Sequence, residues 1–204
     1  DTAKVIIINP NPDTESDVFK TLLAITNRFN RKKDNFHIVT SINNSEEIAL
    51  CKTIAKEELE IIDTNVFLPR LEAQTIRQAG LPIVYEDLLD FDGDEIYLKK
   101  EEKLFGKAFS ECLTAYNRTA IIGIFSNGKA YLNPPHNRIY KRNEKLIGIS
   151  EDDSTFLLST LRGSYSNKKL KNIKVLKKNN KRTPKPENYI ILGFNKYTEN
   201  MIND

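Results

Sequence analysis

Four acidic side chains within six residues are the first candidates for chemistry in this sequence: Asp90, Asp92, Asp94 and Glu95. Calcium prefers carboxylate oxygens as ligands, and alternate positions of a loop can bring several of them to one ion. Counted from Asp90, the sixth position of an EF-hand loop holds Glu95, where that loop requires a glycine. The spacing therefore excludes an EF-hand, and it leaves a looser calcium site or a solvated acidic turn as alternatives.

The second candidate is a stiff loop made of Asn133, Pro134, Pro135, His136 and Asn137. It follows an apolar run, and a proline pair ends a strand because proline has no backbone N–H to donate. Both prolines also have a fixed φ, so the loop is ordered before any ligand arrives, which lowers the entropic cost of binding. Three interpretations are open: a crossover between strands, a contact between lobes, or a ligand-binding loop.

No catalytic constellation accompanies these two candidates. His136 has no Ser, Cys or metal-ligand partner at a recognisable spacing, and the sequence offers no acid/base pair. Cys51 and Cys112 lie far apart within helical patterns, without a CxxC motif or a Cys/His cluster. We therefore expect a protein that is not an enzyme and two cysteines that are buried thiols.

The elements that position the candidates begin with a strand–helix alternation over residues 1–80. The run "KVIIINP" is typical of a strand buried in a parallel sheet, and three strand–helix pairs with short connections predict parallel βαβ units. The third helix is expected over 67–79, with Pro69 in its first turn and Gly80 as its C-cap. Three such units make half of a six-stranded Rossmann sheet, and this half contains no GxGxxG.

A different pattern follows over residues 81–156. A short helix, a strand, an amphipathic helix, a hairpin and a last strand succeed one another. The hairpin turn is marked by Asn127-Gly128, the strongest short-range hairpin signal. These elements predict a small α+β unit that carries both candidate sites.

The basic residues are concentrated in one stretch. Residues 157–187 hold ten bases and one acid, a net charge of +9, whereas the remainder of the chain carries −6. The acidic remainder argues against a nucleic-acid partner, and 157–187 is predicted to be a basic linker. Residues 188–204 then predict another strand and the start of a helix. We expect "YIIL", residues 189–192, to pair in parallel with Val5–Ile8.

Several blocks of this sequence are similar to the Castor/Pollux-type ion channels. The most specific are "YEDLLDFDGDEIY" and "NPP" followed by "LIGISEDD", because their order and spacing agree with the cytosolic RCK region (regulator of potassium conductance) of these channels. The resemblance covers roughly residues 1–160, and "NYIILGFN" resembles the first strand of a second RCK unit. It implies that residues 1–80 are the second half of one Rossmann lobe, 81–156 its TrkA-C-like C-lobe, and 188–204 the start of the next lobe.

The function implied by this resemblance is a cytosolic, ligand-sensing, gating-ring module of a potassium or cation channel. Such a module is a homo-oligomer on the cytoplasmic side of the cell membrane. Its partner is a pore domain that is expected outside this chain, because no apolar run here reaches the roughly 18–20 residues of a membrane helix. Calcium or a nucleotide is the expected ligand. The alternatives are a nucleotide-binding subunit of a Trk/Ktr-type potassium uptake system and a fragment of a Rossmann-type oxidoreductase.

Three positions depart from the family's pattern. Asn137 stands where the family usually has an acid, which weakens a cation site at the proline loop. Asn143-Glu144 replaces a usual Gly-Asp before the last strand, and Asn tolerates the positive φ of such a turn. The residues after Gly193 lack further glycines, so the second lobe has a poor dinucleotide fingerprint.

Overall fold

The computed structural model describes residues 3–10, 16–30, 34–159, 190–195 and 197–203, which fall into two compact units. The described residues up to 79 form the first unit together with those from 190 onwards, and residues 80–159 form the second. In chain order, the described strands and helices are β1 (Val5–Ile8), α1 (Ser16–Thr26), β2 (His37–Ile42), α2 (Ser45–Ala55), β3 (Leu59–Asp63), α3 (Thr64–Arg77), α4 (Leu81–Leu89), β4 (Glu95–Lys99), α5 (Phe109–Leu113), β5 (Ala120–Ser126), β6 (Lys129–Leu132), β7 (Lys145–Ser150) and α6 (Thr198–Asn203).

The first unit is built on a parallel sheet with the order β1-β2-β3. Every described connection between its strands passes through a helix, as a parallel arrangement requires. Leu22 of α1, Ile38 of β2 and Cys51 of α2 meet in a core that is almost fully buried. Asn44 accepts a hydrogen bond from Glu46 N at 2.9 Å and caps α2 as its sequence indicates. The predicted half of a Rossmann-type sheet is confirmed.

The third helix begins earlier than its sequence pattern predicts. Asp63 ends β3 and accepts a hydrogen bond from Asn65 N at 3.1 Å, so α3 starts at Thr64. Pro69 therefore lies inside the helix and not in its first turn. Gln78 caps the C-terminus in place of Gly80, which has a φ of 92° and directly precedes α4.

The expected parallel pairing of residues 189–192 with β1 is not found in the described part of this segment. Residue 189 lies outside the described residues, and residues 190–192 form no strand. Among the described strands β1 pairs with β2 alone, and Ile7 stays 77% exposed. The segment contributes α6 instead, which packs on α3 within the first unit.

The second unit contains an antiparallel sheet with the order β4-β7-β5-β6. Its core is formed by fully buried side chains from the helix, the sheet and the loops, among them Phe109, Ile124, Leu146 and Phe156. The hairpin of β5 and β6 turns at Asn127 and Gly128, whose φ values of 51° and 73° are those of a type I′ turn. The predicted α+β unit and the position of its hairpin are confirmed.

Candidate functional site

Residues 133–137 leave the hairpin at the end of β6. Asn133 has a φ of 44°, and its N–H donates to the carbonyl oxygen of Ile122 on β5 at 2.8 Å. Pro134 is buried, whereas Pro135, His136 and Asn137 are exposed. The loop thus has one end fixed to the sheet and presents an imidazole and an amide to solvent. The side chains of His136 and Asn137 make no hydrogen bond with the described part of the chain.

The backbone of this loop also holds the start of α5. Ser110 N donates to the carbonyl oxygen of His136 at 3.0 Å, and Phe109 N donates to that of Arg138 at 2.8 Å. The first N–H groups of a helix have no partner within the helix, so these two carbonyls satisfy donors that would otherwise need water. These two hydrogen bonds support the interpretation of the loop as a crossover between strands. They use backbone carbonyl oxygens only and do not involve the exposed side chains of the loop.

A buried ion pair lies where the loop returns to the sheet. Arg138 Nη2 is 2.9 Å from Glu144 Oε1, and Lys141 N donates to Glu144 Oε2 at 2.9 Å. Glu144 is only 3% exposed, and the Arg138 guanidinium stacks at 4.3 Å over the Tyr131 ring. A buried carboxylate is tolerated only when its oxygens are paired, and here both are.

The ionisation of Glu144 follows from these contacts. Burial raises the pKa of its carboxyl, but hydrogen bonds from Lys141 N, Arg138 and Ser126 outweigh burial, so the pKa lies below its ordinary value. Glu144 is consequently charged at neutral pH and holds residues 138–144 together through that charge.

Tyr140 stabilises residues 138–144 from the side of the core. Its ring is fully buried, 5.2 Å from that of Phe105. The hydroxyl donates to the carbonyl oxygen of Glu144 at 3.2 Å and accepts from Glu101 N at 3.1 Å. Burial raises the pKa of the phenol, which stays neutral and able to donate. Tyr140 therefore ties the turn before β7 to Glu101, two residues after the end of β4.

The acidic turn makes its observed hydrogen bonds with groups close to it in sequence. Asp90 uses its carboxylate to accept from Asp92 N at 3.2 Å, and Glu95 accepts from the Tyr97 hydroxyl. The latter bond raises the pKa of Tyr97 to about 12. Among the described residues no group of three or more acidic, His or Cys side chains is placed to hold a metal ion. A calcium site at Asp90, Asp92, Asp94 and Glu95 stays a prediction, and only Glu95 of the four lies in β4.

The acidic end of β7 serves local structure. Asp152 accepts from Ser154 N at 2.7 Å, and Ser150 Oγ lies 2.7 Å from Thr155 Oγ1 and 3.1 Å from Thr119 Oγ1. Gly148 is required behind this network, since an added Cβ there would lie 2.8 Å from both Phe156 Cζ and Thr119 Cγ2. These polar groups satisfy one another and leave little capacity for a ligand.

A cleft of about 360 Å³ opens on the first unit. It lies between the last residues of α1 and α2, near Thr26, Asn27 and Lys56, and reaches Glu58 just before β3. This is the edge where the strands begin. Parallel sheets bind ligands at the opposite edge, outside the carboxyl ends of their strands, so the cleft is not where a ligand of this unit is expected.

Sequence reasoning missed the buried pair of Arg138 and Glu144 and the role of Tyr140. A signal for Glu144 was present, because an acidic residue occupies the turn before β7. A charged residue in a turn normally indicates solvent exposure, and nothing local to it shows that Arg138 returns to cover it.

Comparison with solved structures identifies a similar fold. The gating ring of human SLO3 aligns with 76% of this chain and 34% of its own at a TM-score of 0.56, with 16% sequence identity. At that identity the likeness concerns the fold alone. The fold, with half of a parallel Rossmann-type sheet followed by a small antiparallel unit, is similar to that of part of this gating ring.

Sequence comparison finds similar proteins in one family. Residues 65–164 match the family model described as "Castor and Pollux, part of voltage-gated ion channel", and the resemblance found in the sequence is thereby confirmed. The chain is 29% identical over 127 residues to "Probable ion channel POLLUX" of Arabidopsis thaliana, an alignment covering 61% of this chain and 15% of that protein. It is 27% identical over 161 residues to "Ion channel CASTOR" of Lotus japonicus, covering 76% and 19% respectively. The chain therefore spans less than a fifth of either relative. No helix within the described residues is long and apolar enough to cross a membrane.

Proposed function

We propose that this chain is a non-enzymatic regulatory segment of a cation channel, acting in a gating ring on the cytoplasmic side of the membrane. The observation that carries the proposal is the match of residues 65–164 to the Castor/Pollux family, since that range includes the whole described second unit. The named relatives are ion channels, which favours this function over a subunit of an uptake system or an oxidoreductase fragment.

The second unit has the mechanical properties that such a role needs. A regulatory unit must convert ligand binding into a defined change of shape, which requires a rigid frame around the binding loop. Here the frame is supplied by the carbonyls that hold α5, the pair of Arg138 and Glu144, and the buried Tyr140. A ligand that binds residues 133–137 would act on all of these contacts at once. The contacts would therefore shift together and not one by one.

We assign ligand binding to the loop of Asn133, Pro134, Pro135, His136 and Asn137, and we favour a nucleotide over calcium. The loop contains no carboxylate, and its exposed side chains are an imidazole and an amide, which can donate to phosphate or to a base edge. The family resemblance implies a channel for potassium or another cation.

Recordings from the full-length parent protein in planar bilayers test this function. ATP, NAD⁺ and Ca²⁺ are added one at a time, as probes, to the side that carries this chain. One nucleotide is expected to change the open probability of the parent. The double variant His136→Ala/Asn137→Ala is expected to need about three- to tenfold more of it, the effect of losing one or two hydrogen bonds.

The matched control is Lys129→Ala, which removes an exposed side chain from the neighbouring strand β6. Its nucleotide response should equal that of the parent. A pore that ignores all three probes, or a loop variant with the parent's response, would contradict the assignment of ligand sensing to this loop.

A further inference from the structure

The cleft of about 360 Å³ on the first unit is lined by a buried carboxylate and an exposed ammonium group. Glu58 is only 9% exposed, whereas Lys56 is exposed. Ligands of parallel sheets usually bind at the other edge of the sheet, so binding here requires groups of the cleft itself. A carboxylate removed from water to this extent attracts a cationic group strongly, because the surrounding dielectric is low.

Two helices end at this cleft. The last residue of α1 is Thr26 and that of α2 is Ala55, and both residues line the cleft. The last carbonyl groups of a helix receive no N–H from within the helix, and they give its C-terminus a partial negative charge. Together with Glu58, the two helix ends favour a ligand that carries an ammonium group, which has three N–H donors.

Lys56 has a backbone conformation that is strained for any residue with a Cβ. Its φ is 47° and its ψ is −119°, a combination that glycine adopts far more readily. Strained residues are concentrated at ligand-binding positions, where the surrounding structure holds them in place. A glycine here would remove the strain, but it would also remove the only ammonium group among the described residues that line the cleft.

The cleft also offers neutral hydrogen-bonding groups. Asn27 and Asn35 line it, and their side-chain amides form no hydrogen bond within the described residues. Each amide supplies N–H donors and an acceptor oxygen. The volume of the cleft is at the lower end of the range of small-molecule pockets, which is about 300–1,000 Å³. A ligand smaller than a nucleotide therefore fits it best.

We propose that this cleft binds an α-amino acid with an uncharged polar side chain. The ammonium group of the ligand donates to Glu58 and to carbonyl oxygens at the ends of α1 and α2. Its carboxylate pairs with the Lys56 ammonium group, and its side chain bonds to the amides of Asn27 and Asn35.

A zwitterion is the class of ligand that matches both charges of the cleft. A simple cation would leave Lys56 without a counter-charge, and a simple anion would be repelled by Glu58. This inference goes beyond the proposed channel function, because it assigns a second small-molecule site, on the first unit, to a different class of ligand.

NMR titration of the ¹⁵N-labelled 204-residue chain tests the proposal, with the amide resonances of Asn27 and Asn35 as reporters. L-Glutamine is the probe, N-acetyl-L-glutamine lacks its ammonium group, and L-glutaminamide lacks its carboxylate. L-Glutamine is expected to shift these resonances. N-acetyl-L-glutamine should bind at least about tenfold more weakly and L-glutaminamide about three- to tenfold more weakly, because a charged hydrogen bond to a buried group is worth more than one to an exposed group.

Two variants separate the two ends of the ligand. Glu58→Gln keeps the shape of the side chain and removes its charge, so it should weaken both L-glutamine and L-glutaminamide by about tenfold or more. Lys56→Gln should weaken L-glutamine by about three- to tenfold but L-glutaminamide by less than about twofold, since the latter has no carboxylate. The matched control is Glu60→Gln, which neutralises an exposed carboxylate on β3 outside the cleft and should leave both affinities unchanged.

Amides of β2 in the same spectra report whether each variant is folded. If Glu58→Gln unfolds the first unit, the three ligands on the parent chain and Lys56→Gln decide the matter. The proposal is overturned if millimolar L-glutamine leaves the Asn27 and Asn35 resonances in place, or if N-acetyl-L-glutamine binds as well as L-glutamine. A folded Glu58→Gln with the parent's affinity, or an equal loss for L-glutamine and L-glutaminamide in Lys56→Gln, would overturn it as well.

Discussion

At the scale of single residues, Glu144 carries the largest electrostatic consequence in the second unit. It is a buried carboxylate with three hydrogen-bonding neighbours, and its charge links residues 138, 141 and 126. Breaking such a pair leaves the Arg138 guanidinium, 23% exposed, without its counter-charge. The cost of losing the pair is set by that residual charge more than by the bond itself.

Glu144→Gln is therefore expected to lower the free energy of unfolding of the second unit by about 1–3 kcal/mol at pH 7. The effect should depend on pH. The folded pKa of Glu144 lies below its unfolded value of about 4.3, so the charge stabilises the fold above that value and its contribution is lost as pH falls through the folded pKa. Urea unfolding, followed by near-ultraviolet circular dichroism of the buried tyrosines, should show the difference between parent and variant shrinking as the pH falls below the unfolded pKa of about 4.3.

Glu102→Gln is the control for this measurement. Glu102 is 78% exposed and lies 3.8 Å from Lys100 Nζ, so its removal should cost less than about 0.5 kcal/mol at any pH. A constant difference between parent and Glu144→Gln from pH 7 to pH 3 would contradict the account of Glu144 as a charged residue.

Residues of the candidate site differ in how far the sequence could reveal them. The stiffness of Pro134 and Pro135 is intrinsic to proline and was predictable. The hydrogen bonds of Asp90 and Glu95 were not predictable from the sequence. Asp90 accepts from the backbone N–H of Asp92, and Glu95 accepts from the side-chain hydroxyl of Tyr97. A cluster of acids in sequence can hold a metal ion only when the fold brings their oxygen atoms to one point, and local sequence does not determine that.

At the scale of elements, the hairpin of β5 and β6 is the feature that sequence predicts most securely. A type I′ turn needs positive φ at both central residues, and few residues other than Asn and Gly accept it. The start of α3 was mispredicted because Asp63 caps the helix three residues before its first apolar positions. Residues 190–192 were predicted as strand from β-branched content alone, which says nothing about whether a partner strand is available.

Substitution of Gly128 tests the hairpin through backbone strain alone. No atom lies within 4 Å of a Cβ placed there, so Gly128→Ala causes no steric clash. Its only destabilising effect is the backbone strain of an alanine held at a φ of 73°. We expect a loss of about 1–2 kcal/mol in the unfolding of the second unit. Gly128→Asn should recover most of it, because Asn tolerates this region. Equal losses for Ala and Asn would show that the turn has a different conformation.

At the scale of the whole molecule, exposed apolar residues on α3 indicate association. Val66, Phe67, Leu68 and Ile76 are between 37% and 49% exposed in the first unit. Their combined apolar surface favours burial against a partner. The chain is therefore expected to form at least dimers, which multi-angle light scattering can measure.

Ile76→Glu places a charge at one of these exposed apolar positions and should shift the measured mass towards the monomer. Glu72→Gln on the same helix alters charge without exposing or hiding apolar surface, and should leave the mass unchanged. A strictly monomeric parent at high protein concentration would refute association through α3.

The central claim is that the second unit regulates a pore, and current recording from the full-length parent channel carrying Glu144→Gln tests it most directly. The substitution loosens residues 138–144 without touching the exposed side chains of the loop or any pore residue. We predict that the open probability changes by about fivefold or more, with the permeability ratio for K⁺ and Na⁺ unchanged. An open probability equal to that of the parent, in a variant whose isolated chain shows the expected loss of stability, would contradict the claim.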